Sequence, residues 1–206
     1  MLSYKTKWFT SSTLLLVVFV FFSGCTTTTK VERIATDEVK DLSGQWNDTD
    51  SRLVSEEMMT DVLSKPWIDN YRSQHNKSPA VIVGEVRNLS HEHLNVNAFL
   101  NDVERALINS GRVKVVASNV ERQEIREERK DQDIHAREDT RKTIGKELGA
   151  DFMLKGSINS IIDSEGNQSV KFYQIDLVLI SLTDNDKVWI GQKKIKKFVE
   201  KRTVRP

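Results

Sequence analysis

Few groups in this chain are both reactive and well placed, and the first is its single thiol. Cys25 follows Ser23 and Gly24 at the end of an apolar run over residues 14–22, with Lys5 and Lys7 ahead of it. That run is short of the ~18 apolar residues a membrane-crossing helix needs and has the size and flanking charge of an export leader. His91 and His93 are spaced like two metal ligands, but no third histidine, cysteine or carboxylate cluster completes a set at a familiar spacing. The carboxylate pairs Glu56 with Glu57 and Asp184 with Asp186 sit among other charges, where solvated surface is expected rather than the acid and base of a glycosidase. There is no GxSxG elbow, SxxK, glycine-rich phosphate loop or HExxH in the sequence. Catalysis is not expected, and the thiol is the group to explain.

The junction Phe22-Ser23-Gly24-Cys25 resembles a bacterial lipoprotein box, where small residues admit the signal peptidase and the cysteine thiol receives diacylglycerol; leucine is usual where Phe22 stands. The resemblance implies a signal peptide over residues 1–24 and a mature chain that begins at an acylated Cys25. With three fatty chains, palmitate among them, such an anchor exceeds the single chain that gives only marginal membrane binding. Thr26 stands where an acidic residue would suggest retention in the inner membrane. The family rule therefore implies the outer membrane, with the body facing the periplasm. A free thiol at that place in an oxidising compartment would otherwise be a liability.

What remains after the leader fits one domain and a tether. The chain has 206 residues, with Lys+Arg 31 against Asp+Glu 30, and Lys5 and Lys7 leave with the leader. The mature part is close to neutral, so no global field argues for nucleic acid or an acidic substrate. With Cys25 acylated, no disulfide is available and the fold rests on its core. Residues 25–40 are polar, threonine-rich and without a burial period, and read as the tether. Fully extended, the stretch after Cys25 reaches ~50 Å at about 3.3–3.6 Å per residue. Residues 41–206 are the expected globular domain.

Within that domain the hydrophobic periods alternate between helix and strand. A helix is expected over residues 51–64, capped by Asp50, with Val54, Met58 and Val62 inward, Leu53 and Leu63 flanking, and Pro66 as the stop. Met58 and Met59 read as core filling, with Trp46 and Trp67 packed beneath the helix. Residues 80–86 read as a buried strand, 96–109 as a helix closed by a left-handed Gly111, and 113–117 as a second strand. Residues 119–142 alternate charges of both signs and predict a solvated helix or a docking surface. Another helix is expected from about Glu138 to Leu148 and Gly149. Residues 150–163, 169–182 and 187–199 alternate as three antiparallel strands, with hairpin turns at 163–167 and 183–186. A break of phase between Gln174 and Ile175 suggests a bulge. The class this predicts is α+β, a mixed β-sheet with helices packed on it.

Several stretches together carry a family resemblance. The lipobox, the segment DLSGQWNDTDSRLVSEEM, the strand from Val81 to Val86 with a following asparagine, RKTIGKELGADFMLKGSI and the terminal DLVLISLTDNDKVWIGQKKIKK are similar to the LpoB-type outer-membrane lipoproteins that activate class A penicillin-binding proteins. DLSGQWNDTDSR is the discriminating segment. The helix ending ELGAD before a strand is shared with relatives built like the N-terminal domain of TolB, including the curli secretion channel subunit. The resemblance implies a noncatalytic activator that reaches a bifunctional peptidoglycan synthase and raises its activity through its regulatory domain, in cell-wall synthesis and cell shape. It implies no cofactor or nucleic-acid partner, and gives no residue-by-residue contact set. The alternative is an oligomeric envelope secretion or assembly lipoprotein related to the curli channel.

Overall fold

The computed structural model describes residues 29–138 and 147–201, so Cys25 and the leader lie outside the described residues. The chain divides into two compact units, residues 1–36 and 37–206. In the first, residues 29–36 form neither helix nor strand.

The second unit contains α1 (Asp48–Ser64), α2 (Trp67–His75), β1 (Ala80–Leu89), α3 (Val96–Asn109), β2 (Lys114–Val115), α4 (Asn119–His135), β3 (Phe152–Glu165), β4 (Gln168–Ser181) and β5 (Lys187–Glu200). The strands form one sheet in the order β2-β1-β3-β4-β5. β1 runs parallel to β2 and β3, while β3, β4 and β5 are antiparallel neighbours. This is the α+β mixed sheet the alternating periods predict.

One face of that sheet makes the core. β4 turns Tyr173, Ile175, Leu177 and Leu179 inward, across from Ser160, Ile158, Gly156 and Leu154 of β3. Onto this face α1 brings Val54, Met58, Met59 and Val62, and α3 brings Phe99, Val103 and Leu107, all buried. Spacings of three and four residues place each set on one helical stripe. Burying each such side chain is worth about 1.5–3 kcal/mol. The two methionines are core, as their stripe predicts. Trp67 donates from Nε1 to the Val62 carbonyl at 2.8 Å and meets Phe152 edge-on at 5.0 Å between centroids.

Several local expectations are corrected. α1 is capped by Asn47, not Asp50: the Asn47 side chain accepts from the Asp50 amide, and the Asp50 carboxylate accepts from the Asn47 amide. The two residues form a capping box, which starts the helix at Asp48. Leu53, by contrast, flanks the buried stripe as expected, on the exposed side of α1. Pro66 ends α1 but also opens α2, a helix that the reading of Pro66 as a stop leaves out. The Trp67, Ile68, Tyr71 spacing was its signal. Gly111 does follow α3, with φ 62. The strand expected at 113–117 shortens to two residues of ladder. The helix expected from Glu138 falls mostly on residues outside those described, and residues 147–150 are not helical.

The bulge expected at Gln174 is absent. β4 alternates without interruption from Tyr173 to Ser181; before it Val170 and Phe172 face outward while Ser169 and Lys171 face inward, so the apolar side of the strand changes at Tyr173. Register shifts instead lie between Leu179 and Ile180 against β5, and between Val83 and Val86 against β3.

Candidate functional site

The discriminating segment, residues 41–52, builds a network of charges at the base of the globule. Lys197, on the inward side of β5, donates to Asp50 Oδ2 at 2.6 Å and Asp41 Oδ1 at 2.8 Å, and to the Gln45 carbonyl at 3.1 Å. The Lys197 and Asp50 side chains are only 11% and 8% exposed. Burial pushes the Lys197 ammonium down, but the hydrogen bonds to Asp41 and Asp50 outweigh it and hold the group above its ordinary value. Asn47 Nδ2 donates to Asp41 at 2.6 Å, and Trp46 Nε1 to Ser51 Oγ at 2.8 Å.

A second pair lies beside the first. Lys171 of β4 donates to Glu92 Oε1 at 2.8 Å, the Trp46 amide donates to Glu92 Oε2 at 3.1 Å, and both charged side chains are nearly buried. Burial pushes the Glu92 carboxyl up, yet the Lys171 and Trp46 donors hold it below the usual carboxylate range. Trp46 stands edge-on to Tyr173 at 5.7 Å. The Tyr173 hydroxyl is buried without a hydrogen-bond partner among the described residues, and burial, then Glu92, push its pKa far up. Gly44, at φ 64, lies so close to β5 that an added Cβ would come 2.1 Å from Val199 Cγ2. The segment is thereby clasped to the end of the sheet.

Among the described residues, the other face of the sheet carries no helix. In β3, β4 and β5 none of its residues is buried, whereas the inward positions of β4 from Tyr173 onward all are. Read across β3, β4 and β5, its rows are Lys155, Val178, Ile190; Ser157, Asp176, Gln192; Asn159, Gln174, Lys194; Ile161, Phe172, Lys196; and Asp163, Val170, Phe198. Ile161, Ile190 and Phe198 are 65%, 66% and 64% exposed. Asp176 accepts from Gln174 and Gln192, both at 2.8 Å. Lys155, Lys194 and Lys196, with Arg87 of β1, make no ion pair with the described residues. Apolar ends, a polar middle and uncompensated cations suit a protein partner better than a small ligand.

The remaining sequence candidates are dispersed. His91 is tied to Ser160 Oγ through its amide at 2.9 Å and Nδ1 at 3.1 Å, and His93 is exposed. No group of three metal-binding side chains forms among the described residues. Glu56 pairs with Arg52 at 3.5 Å and Glu57 with Lys193. Asp184 accepts from the Asp186 amide at 3.3 Å and shapes the β4–β5 turn. No helix among the described residues is long and apolar enough to cross a membrane. The clasp and the open face were both missed as sites. DLSGQWNDTDSR was legible as a motif, but its partners Glu92 and Lys197 lie 46 and 147 residues away in the chain.

A helix-backed sheet with a clasped amino-terminal segment and an open face is the build of a binding module. The profile of the family described as peptidoglycan-synthase activator LpoB matches residues 50–195, and the chain belongs to that family. The LpoB C-terminal domain from Escherichia coli is 15% identical, with a TM-score of 0.42 over 72% of this chain and 99% of that one. Lipoprotein GNA1162 from Neisseria meningitidis is 13% identical, with a TM-score of 0.37 over 58% and 83%. The PelC dodecamer from Paraburkholderia phytofirmans is 12% identical, with a TM-score of 0.30 over 58% and 73%. No curated protein sequence matches the chain.

Proposed function

We propose that this chain is an outer-membrane lipoprotein, anchored by acyl chains on Cys25, whose domain binds a class A penicillin-binding protein in the periplasm and activates it. The signal peptide is residues 1–24, the tether 25–40 and the periplasmic domain 41–206. The family match supports the activator reading. The observation that carries the mode of action is the sheet face that carries no helix among the described residues, with exposed Ile161, Ile190 and Phe198 beside Lys194 and Lys196. That face docks on a noncatalytic domain of the synthase, and binding favours the conformation that polymerises and crosslinks glycan. A coupling of about 1–3 kcal/mol is typical of such linkage and corresponds to about 5–150-fold in affinity.

The deciding experiment combines the purified chain with a class A synthase recovered from crosslinked envelopes and follows glycan polymerisation. A rate increase that saturates with the chain supports the proposal. Binding without any change of rate would remove it. A large ring on size exclusion in detergent would favour an oligomeric assembly lipoprotein instead.

A further inference from the structure

A groove of about 300 Å³ runs between α4 and the free edge of β2. On α4, Arg122, Ile125, Arg126 and Arg129 fall at i, i+3, i+4 and i+7, one stripe of the helix; the acids Glu124, Glu127 and Glu128 occupy the rest of its circumference, and Asp133 continues the stripe a turn beyond the groove. Three guanidiniums here meet one carboxylate of the described residues. Glu147 is held by Arg126 at 2.8 Å through both Nε and Nη2, and Arg129 stands 3.9 Å away. Arg122 Nε is buried with no hydrogen-bond partner among the described residues.

The opposite wall also offers donors. The amides of Lys114 and Val116 donate to the Pro79 and Val81 carbonyls of the β1 side, each at 2.9 Å. Backbone alternation therefore turns the amides of Val115 and Ala117 outward, along an edge that no described residue pairs with. A groove with guanidiniums on one wall and free amides on the other selects acceptors on both sides. The residues Glu147 and Leu148, which line it, display in cis the pattern that fits: an acid on the arginines and an apolar neighbour beside Val115 and Ile125.

We propose that this groove binds an extended acidic segment of a protein partner, laid along β2 as an added strand, with a carboxylate between Arg122 and Arg129. Strand addition supplies the main-chain bonds, and the guanidiniums select acid over amide. The proposal is independent of the sheet face and of the synthase.

The test uses the full chain in detergent and a labelled, end-capped peptide of alternating valine and glutamate, followed by fluorescence anisotropy at low ionic strength. The peptide is expected to bind, and its glutamine counterpart at least tenfold more weakly; this comparison uses only the unaltered chain. Arg122→Gln and Arg129→Gln are each expected to weaken binding about tenfold, and Glu147→Gln to strengthen it. Equal affinity for the two peptides, or indifference to both arginine substitutions, would overturn the proposal. Complete displacement by millimolar inorganic phosphate would overturn it too, by reducing the groove to a site for simple anions.

Discussion

Glu92 shows how a single buried carboxylate sets the pH range of the fold. Its folded pKa lies below the unfolded value of about 4.5 because the Lys171 and Trp46 donors outweigh burial. The stabilisation it brings is complete above that value and is lost as the pH falls through the folded pKa. Urea midpoints of the chain are thus expected to decline as the pH falls below about 4.5 and through the folded pKa. Glu92→Gln, which removes the titrating group, should start less stable at pH 7 and flatten that decline; an unchanged slope would count against the assignment. Gly44 is a second test at this scale. Gly44→Ala meets both a left-handed backbone and Val199, and a cost of about 1–3 kcal/mol in chemical denaturation is expected.

At the scale of elements, the two faces of the sheet divide the work. Ile161 and Phe198 lie outward beyond the helices, so replacing both with glutamate should leave the thermal midpoint within a few degrees of the parent. The same double substitution should abolish stimulation of the synthase, read as glycan polymerisation rate; full stimulation would move the docking face elsewhere. Much of this layout is legible in the sequence, because α1, α3 and the three long strands each carry a clear period. The start of β4 misleads for a physical reason: its apolar side chains Val170 and Phe172 face outward while Ser169 and Lys171 face inward, and the change of apolar face at Tyr173 reads as a phase break. Asp50 is legible as a capping type, but only the reciprocal bonds between it and Asn47 show that the cap lies three residues earlier. The clasp depends on pairings across the whole chain, which no local period encodes.

For the whole molecule, location is argued from Cys25. Cys25→Ser should release the chain from the membrane fraction into the soluble periplasm, as followed by fractionation and by loss of incorporated fatty acid. Retention of the serine variant in the membrane would remove the lipid anchor from the scheme. On the proposed domain boundaries, the extended tether reaches ~50 Å at most. A synthase served by it must present its receiving domain within that radius, or the globule must work inside the wall.

The clasp also fixes where the leash ends. Asp41 and the Gln45 carbonyl are both fastened to Lys197, so residues 41–45 are moored to the sheet and add nothing to the span. Slipping that mooring would pay out five more residues, ~17 Å at full stretch. Lys197→Met should therefore lengthen the farthest crosslink the globule can make from the bilayer, even as it weakens the fold by about 3 kcal/mol through the stranded Asp50. An unchanged crosslinking radius would mean that the line is made fast somewhere other than β5.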